Sequence, residues 1–418
     1  MNLTTSRSAR KNYRRWKNLA YSLFFAVVLL AARIASAERS FVATFVAAAD
    51  SLEVSQTPER IRVAVVGDFM CHDSQIASAL QPDGKYDFTS WYDHVRPIIS
   101  RADFAFGNLE TTLAGKAARF TGYPAFNSPD EYATAIQQAG FDALTTANNH
   151  SFDRGYSGIE RTLRVLDSLG IPRTGTTESR QERSRPLVVA VKGVKIGIIA
   201  YTYGLNQGAL PAGYKTVVNV IDTAAIRADI QYLRNLPPQE RPDIILASLH
   251  WGAEYQLRPT PAQKAFADWL YRAGAHALLG AHPHVVQTVE YKKFVRVSNG
   301  QIDTIGYPAV YSMGNFISGQ RTKPREAGVI VWLDIEKRVG GESEARIVGL
   351  GYTPTYIDKR SVGGKSRYQV LDVPRALREA KENPSTYPAS MVKRLEEIER
   401  DIAAQFQTPD RAFRLVEE

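Results

Sequence analysis

Short apolar runs that end in small or polar residues recur along the chain from Ile61 onward. Their length is typical of buried β-strands. The predicted strands are Ile61–Val66, Asp103–Phe106, Asp142–Thr146, Ile196–Tyr201, Ile244–Ser248, Ala277–Leu279 and Val310–Ser312. Helical stretches between several of these strands predict a layered α/β fold. In such folds, polar sites form beyond the carboxyl ends of the strands.

Three helices are predicted between the strands. The best defined begins after Thr260, because Thr260 is an N-cap residue, Pro261 suits the first helical position and Gln263 can complete a capping box. It is expected to end at Ala273. The other two helices are expected at Gly158–Leu169 and Ala224–Leu236.

A further amphipathic helix is predicted near the C-terminus. Its apolar residues recur at three- or four-residue spacing, at Met391, Leu395, Ile398, Ile402 and Phe406. Such a stripe usually faces the protein's own core. We therefore favour a helix that packs back onto the domain over one that binds a partner.

The N-terminus has the pattern of an export signal. A basic stretch is followed by the apolar run Leu19 to Ala32 and by Ala35-Ser36-Ala37, a small-x-small cleavage pattern. The run is shorter than the roughly 20 residues of a membrane-spanning helix, which favours cleavage after Ala37. A second apolar patch, Phe41 to Ala49, leaves an uncleaved membrane anchor as the alternative. Both interpretations predict export to the periplasm or cell surface.

These patterns divide the 418-residue chain into four segments. Residues 1–37 form a signal peptide or membrane anchor, 38–60 a linker, 61–372 the main domain and 373–418 a helical tail. Residues 1–37 carry +7 of the net charge of +9, from seven Lys or Arg and no Asp or Glu, so the remainder carries only +2. The charge therefore belongs to the targeting segment and gives no indication of nucleic-acid binding.

Four of the seven histidines come just after predicted strands, at His150, His250, His282 and His284. His282 and His284 are two residues apart, so in an extended segment they point the same way. Together with carboxylates they suit Zn, Mn or Fe, as ligands of one ion or of two adjacent ions. The alternative is a pair of surface loop histidines.

Carboxylates and an amide occupy other strand ends. Asp68 and Glu110 follow the first two strands, and either carboxylate could bridge two metal ions. Asn149 offers an amide oxygen, His150 could donate a proton to a leaving oxygen, and Asp153 could orient His150. The alternative for the Asn149–Asp153 segment is a polar turn. The full set fits a site for two divalent ions, which activate water and stabilise attacking and leaving oxygens.

Six segments resemble, in family order, the motifs of the CapA family of poly-gamma-glutamate capsule synthesis proteins. They are Gly67–Met70, Asn108–Glu110, Ala147–Asp153, His250–Tyr255, Gly280–His284 and Ser312–Phe316. The resemblance covers residues 61–372 and implies a calcineurin-like metallophosphatase fold, a four-layer α/β/β/α sandwich. It also implies a role for each polar residue. Asp68 binds the first metal, Glu110 bridges the two metals, and Asn149 and His250 bind the second. His282 and His284 complete the two coordination spheres, and His150 is the catalytic proton donor.

The sequence departs from the general metallophosphatase pattern in its first motif. That pattern has Asp-x-His, whereas Met70 stands two residues after Asp68 and the nearest histidine is His72. The bridging residue is Glu110 rather than Asp, and Ser151 stands where an acid is usual. The first metal therefore lacks a usual ligand unless His72 replaces it.

Three functions remain open from the sequence. The first is a metal-dependent hydrolase of phosphoesters at the cell envelope that serves capsule or polyglutamate synthesis. The second is a non-catalytic subunit of a membrane polymer synthase or exporter, in which the metal site is structural or binds the carboxylates of the anionic polymer. The third is an amide or peptide hydrolase, since two-metal sites also serve aminopeptidases.

Overall fold

Two β-sheets that pack face to face organise the protein. The computed structural model describes residues 58–298, 301–338, 345–362, 364–409 and 412–417. The strands are β1 Glu59–Phe69, β2 Phe104–Leu109, β3 Ala143–Thr145, β4 Arg173–Thr174, β5 Leu187–Val191, β6 Val194–Thr202, β7 Ile244–His250, β8 Ala277–Ala281, β9 Val289–Ser298, β10 Gln301–Val310, β11 Asn315–Ile317, β12 Ala327–Lys337, β13 Ala345–Val362, β14 Lys365–Asp372 and β15 Phe413–Leu415. The helices are α1 Asp73–Ala79, α2 Arg96–Ile99, α3 Glu131–Gln138, α4 Gly155–Ser168, α5 Thr223–Asn235, α6 Pro261–Ala273, α7 Val373–Glu382 and α8 Ala389–Gln405.

Each sheet contains a run of four parallel strands. The first sheet has the order β14-β13-β12-β1-β2-β3-β4, with β11 beside β1 and β15 beside β13. The second has the order β5-β6-β7-β8-β10-β9. Strands β1 to β4 run parallel to one another, and so do β6, β7, β8 and β10. Each sheet therefore gathers the carboxyl ends of several strands at one edge.

Alternating side chains along β1 separate the layers. Val63 and Val65 face the other sheet and share one buried cluster with Ile198 and Leu246. Ala64 and its neighbours on the opposite face pack with residues of α1, α2 and α3 in a second cluster. The outer face of the second sheet packs against α5 and α6 in a third. The order helix, sheet, sheet, helix confirms the predicted four-layer α/β/β/α class.

Most predicted elements of the main domain are found within a few residues of their expected bounds. The capping box of α6 forms as expected, since Thr260 Oγ1 accepts from the Gln263 backbone N–H at 3.2 Å. The predicted strand Val310–Ser312 is wrong. β10 ends at Val310, and the chain then turns across the end of β8, where the Met313 N–H donates to the Gly280 carbonyl at 2.9 Å.

The C-terminal tail packs onto the domain. Leu395, Ile398 and Ile402 of α8 are buried in the cluster that lies between the sheets, which confirms the interpretation of the amphipathic stripe. The tail also adds β15 to the first sheet. The predicted signal segment, residues 1–37, lies outside the described residues. Among the residues that are described, no helix is long and apolar enough to cross a membrane.

Candidate metal centre

The predicted polar residues meet at the carboxyl ends of five strands. They are Asp68 in β1, Glu110 just after β2, Asn149 and His150 after β3, His250 at the end of β7, and His282 and His284 after β8. Because β1–β3 and β7–β8 belong to different sheets, the site is assembled where the two sheets face each other. These side chains are all buried.

Two glycines allow the chain to pass closely over the strand ends. A Cβ on Gly67 would lie 2.0 Å from the Gly314 carbonyl oxygen, and one on Gly280 would lie 1.9 Å from that of Tyr311. No side chain is compatible with such distances. Segment 311–314 therefore packs against the backbone of β1 at Gly67, one residue before Asp68, and against that of β8 at Gly280, two residues before His282.

One group of potential ligands, which we call the first half, contains Asp68, Glu110 and His284, whose ligand atoms all lie within 4.8 Å of one another. His284 Nδ1 is 3.3 Å from Asp68 Oδ2, and His284 Nε2 is 3.9 Å from Glu110 Oε1. Asn315 Oδ1 lies 3.0 Å from His284 Nδ1 and helps to orient the ring.

A second group, the second half, contains Glu110, His250 and His282. His250 Nε2 lies 3.4 Å from Glu110 Oε1, 3.2 Å from His282 Nδ1 and 2.6 Å from Asn149 Oδ1. The Asn149 amide oxygen thus adds a fourth potential ligand. Glu110 belongs to both halves, which is the position expected of a bridging carboxylate.

The surroundings of Glu110 show whether a cation fits the site. Its carboxyl group is fully buried, and neither oxygen has a hydrogen-bond partner among the described residues. An unpaired buried carboxylate is costly, and buried charges in proteins are normally paired or bound to metal. Imidazoles and carboxylates in this number are the ligands of a divalent transition metal. The residues present therefore fit divalent metal binding.

The electrostatics of the site agree with this conclusion. Burial and the adjacent Asp68 raise the pKa of Glu110 well above its usual value. Burial lowers the pKa of His250 well below its usual value and, with the nearby His284, lowers that of His282 to about 4. Burial alone would raise the pKa of Asp68, but its contacts with His284 and His250 hold it below its usual range. The imidazoles of His250 and His282 are thus neutral, the form that binds metal.

The backbone holds both histidines of the β8 motif in unusual conformations. His282 has φ +97° and His284 has φ +56°, in a region that non-glycine residues adopt rarely and at a cost. The His282 N–H donates to Asp68 Oδ2 at 3.2 Å, and the Tyr255 N–H donates to the Pro283 carbonyl at 2.8 Å. These contacts support the turn that places the two rings in different halves.

His150 lies beside the ligands with Asp153 behind it. His150 Nδ1 is 2.7 Å from Asp153 Oδ2. Asp153 is itself held by the Phe126 N–H at 2.6 Å and by Gln207 Nε2 at 2.8 Å. The ring of Phe126 contacts the His150 ring edge to face at 4.6 Å. The imidazole therefore has a fixed orientation, with Nδ1 against Asp153 and Nε2 3.2 Å from Asn206 Nδ2.

The first motif shows no replacement ligand. Met70 is buried, and its sulfur accepts from Ser318 Oγ at 3.6 Å. His72 Nδ1 accepts from the Gly319 N–H at 3.0 Å, and its ring stacks edge to face on Phe126. Within the described part of the chain, His72 belongs to none of the potential ligand groups. The expectation that His72 could replace the missing ligand finds no support in this arrangement.

Several residues of the site were not singled out from the sequence. Asn108 Nδ2 donates to Asp68 Oδ1 at 2.8 Å and lies 3.1 Å from His250 Nδ1, so it joins the two halves. Asn206 Oδ1 accepts from Asn149 Nδ2 at 3.0 Å. Asn206 follows β6, so the rule that polar residues collect at strand ends could have found it.

An exposed acid and three exposed tyrosines surround the site. Glu254, with His282 and His284, forms a further potential ligand group. Tyr123 contacts His150, Tyr203 contacts His282 and Tyr255 contacts His284, with ring centroids 6.5, 4.6 and 6.2 Å apart. The tyrosines are 69%, 46% and 38% exposed, respectively. They lie between the buried histidines and solvent, and we call this position the mouth of the site.

The fold and the site together define a metallophosphatase-like α/β sandwich with a buried candidate centre for divalent metal. Comparison with known sequences agrees. The profile of the family described as "Bacterial capsule synthesis protein PGA_cap" matches residues 62–320. The chain belongs to this family of bacterial capsule synthesis proteins, which confirms the resemblance to CapA proteins.

Relatives with assigned names include two CapA proteins. The chain is 26% identical over 275 residues to the capsule biosynthesis protein CapA of Bacillus anthracis, which covers 63% of this chain and 62% of the relative. It is 25% identical over 290 residues to the PGA biosynthesis protein CapA of Bacillus subtilis, covering 66% and 70%. A Mycobacterium tuberculosis protein, named as a probable polyglutamine synthesis accessory protein, is 24% identical over 223 residues, or 51% and 55%. The match thus spans less than two thirds of the first relative.

Proposed function

We propose that this protein is a metal-dependent hydrolase of the phosphoester type that takes part in the synthesis of an anionic capsule polymer such as poly-gamma-glutamate. The observation that carries the proposal is Glu110, a buried carboxylate with two unpaired oxygens shared between two ligand groups. A residue in this position is suited to hold two divalent ions, of Mn, Zn or Fe, next to each other.

Each residue has a distinct part in the proposed reaction. Asp68, Glu110 and His284 would hold one ion, and Glu110, Asn149, His250 and His282 the other. When bound, the ions would supply Lewis-acid stabilisation of the charge that develops on the phosphoryl oxygens. His150 Nε2 would deliver a proton to the leaving oxygen.

Asp153 positions His150 for this transfer. Its carboxylate lies against His150 Nδ1, where it accepts the Nδ1 hydrogen and would stabilise the doubly protonated ring, from which Nε2 can release its proton. Gln207 and the Phe126 N–H keep that carboxylate in place. Burial excludes water from the pair and strengthens its interaction with a charged substrate.

The proposed setting is the cell envelope. The basic and apolar N-terminal pattern supports export to the periplasm or cell surface, with or without a membrane anchor. Relatives bear names of capsule, PGA and polyglutamine synthesis. We therefore propose membrane proteins of polymer synthesis or export as partners and the anionic polymer, or a phosphoester that arises during its synthesis, as the substrate.

Metal content and turnover, measured together on the purified full chain, test this proposal. We expect the wild type to contain stoichiometric divalent metal and to hydrolyse a simple aryl phosphate. His282→Ala should lose metal and activity, whereas His150→Ala should keep its metal and lose about 10²–10⁴-fold in turnover. His276→Ala is the matched control, because His276 lies away from the site, where its Nδ1 accepts from the Ile245 N–H. A wild type without metal would refute the centre, and an active His150→Ala would refute its role.

A non-catalytic metal-binding subunit is the second candidate. Met70 favours this candidate, because it stands where the general pattern has a metal ligand. A first half with one ligand fewer leaves a coordination position that polymer carboxylates could occupy without any catalysis. On this hypothesis, His150→Ala would support capsule production as well as the wild type does, and His282→Ala would not. Complementation of a deletion strain with the two variants distinguishes the candidates.

A further inference from the structure

Arg325 lies one aromatic ring away from the candidate metal centre. The Tyr255 ring stands against His284, with centroids 6.2 Å apart. The Arg325 guanidinium carbon is 3.4 Å from the centroid of the Tyr255 ring. A guanidinium over an aromatic face at this distance makes a favourable cation–π contact. Arg325 is therefore held at the mouth of the site, on the side of the first half.

Among the described residues, no carboxylate forms an ion pair with the Arg325 guanidinium. Within the described residues, its side chain takes part in no ion pair and no hydrogen bond, although it is half-buried. The adjacent acid, Glu326, is instead paired with Arg394, with Nη2 and Oε1 2.8 Å apart. The Arg325 side-chain nitrogens have no hydrogen-bond partner among the described residues, and none of them is among the fully buried atoms that lack one. They are therefore in contact with solvent, and the N–H groups of Arg325 are accessible to a ligand.

The backbone fixes Arg325 relative to the metal ligands. Its carbonyl accepts from Asn315 Nδ2 at 2.9 Å, and Asn315 Oδ1 lies 3.0 Å from His284 Nδ1. The Arg325 N–H donates to the Thr322 carbonyl at 2.7 Å. The same asparagine thus contacts both the histidine of the first half and the residue that carries the guanidinium, so their separation is set by the fold.

We propose that Arg325 binds a second anionic group of the substrate while the scissile phosphoester occupies the metal centre. The substrate class is then a phosphoester whose leaving group carries a carboxylate or another phosphate. The planar guanidinium offers two parallel N–H groups that match the oxygens of either anion. The inference rests on the proposed function for the position of the phosphoester but concerns binding, so it can be tested without turnover.

Rigid phosphonates, which are not hydrolysed, make suitable probes. Phenylphosphonate has one anionic group, whereas 4-carboxyphenylphosphonate and benzene-1,4-diphosphonate each carry a second one on the far side of the ring. The para arrangement prevents both groups from binding the same ion. Titration calorimetry with the metal-loaded full chain would give, for each probe with two anionic groups, the ratio of its affinity to that of phenylphosphonate. Comparison of these two probes shows whether the second group is preferred as a carboxylate or as a phosphonate, which stands for a phosphate.

We expect the wild type to bind at least one of the probes with two anionic groups about tenfold more tightly than phenylphosphonate, because a charge-assisted hydrogen bond to Arg325 should add this much affinity. Arg325→Met, of similar length, should bring that ratio close to one, and Arg325→Lys, which lacks the planar fork, should give an intermediate ratio. Arg272→Met is the matched control, since Arg272 is an exposed arginine in the last turn of α6. It should keep the wild-type ratio.

Three results would overturn the inference: a wild-type ratio near one, a ratio that Arg325→Met preserves, or binding of none of the probes. Metal content equal to that of the wild type would show that Arg325→Met is folded, and Arg325→Lys provides a second variant. Hydrolysis is measured separately with phenyl phosphate. If that ester is not cleaved but the ratio depends on Arg325, the hydrolase proposal fails and the anion site stands.

Discussion

The two halves of the candidate metal centre share Glu110 but offer a cation different surroundings. The second half adds two imidazoles and the Asn149 amide oxygen, which lies 2.6 Å from His250 Nε2. The first half adds Asp68 and His284, and Met70 stands where the wider metallophosphatase pattern has a further histidine. We expect an ion in the second half to be held more tightly than one in the first.

This difference suggests a division of labour. A tightly held ion in the second half would fix Glu110 and maintain the structure of the site. The weaker first half is also the half bordered by Arg325, so positive charge from a side chain lies next to the position with fewer ligands. Asymmetry of this kind would allow substrate to contribute to coordination in the first half.

The largest effect is expected from Glu110→Gln, because this change alters both halves at once. The variant keeps the size of the side chain but removes the charge that two ions would share. We expect loss of both ions and of all hydrolytic activity, measured by elemental analysis and aryl phosphate turnover. Glu240→Gln, at an exposed acid between α5 and β7, should change neither. Full metal content in Glu110→Gln would exclude a bridging role.

A pair of histidine variants tests the ranking of the halves. After extensive dialysis we expect the wild type and His284→Ala each to retain about one ion per chain, and His282→Ala to retain less than about a tenth of that, since losing a contact at a metal site lowers affinity at least 10- to 100-fold. Elemental analysis of the dialysed proteins is the measurement. The reverse order of retention would show that the first half is the stronger one.

Met70→His should reduce the difference between the halves. Met70 is buried two residues after Asp68, and an imidazole there would restore the ligand of the general pattern. We expect the weaker ion to bind about tenfold more tightly, measured by competition with a chelator. Met391→His on the half-buried face of α8 is the control and should leave the affinity unchanged. No gain at Met70 would mean that this position does not face the ion.

The smallest effect is expected on thermal stability. A ligand at 100 times its Kd stabilises the folded state by about 2.7 kcal/mol, which corresponds to only several degrees in Tm for a domain of this size. Chelation should therefore lower the wild-type Tm by several degrees and the His282→Ala Tm by much less. Calorimetry in the presence and absence of chelator gives both values. Equal shifts would place the stabilising ion outside the second half.

Sequence patterns were sufficient to predict the buried strands of the fold and the polar residues that follow them. Apolar runs such as Ile244–Ser248 stand out because the strands are buried on both faces, and the residues that follow them necessarily meet at a sheet edge. This logic located His250, and it explains why the centre could be anticipated residue by residue. The roles of these residues as ligands stay predictions.

The remaining features depend on loops, where no period guides the prediction. The contact of Tyr255 with Arg325 joins positions 70 residues apart in sequence, and the hydrogen bonds of Asn315 depend on how segment 311–314 crosses β1 and β8. The strand predicted at Val310–Ser312 was wrong for the same reason, since the chain there bends to follow another strand's end. Only the tertiary arrangement determines such contacts.

The sharing of Glu110 has a consequence for how the protein would respond to metal supply. If one carboxylate serves two ions, then occupancy of one position changes the affinity of the other, and thermodynamic linkage requires the change to be the same in both directions. Loading would then be cooperative or anticooperative rather than independent. Under the proposed function, the metal-loaded fraction of the protein would follow the product of two linked equilibria, and the Glu110 side chain would set how steeply that fraction rises with metal concentration.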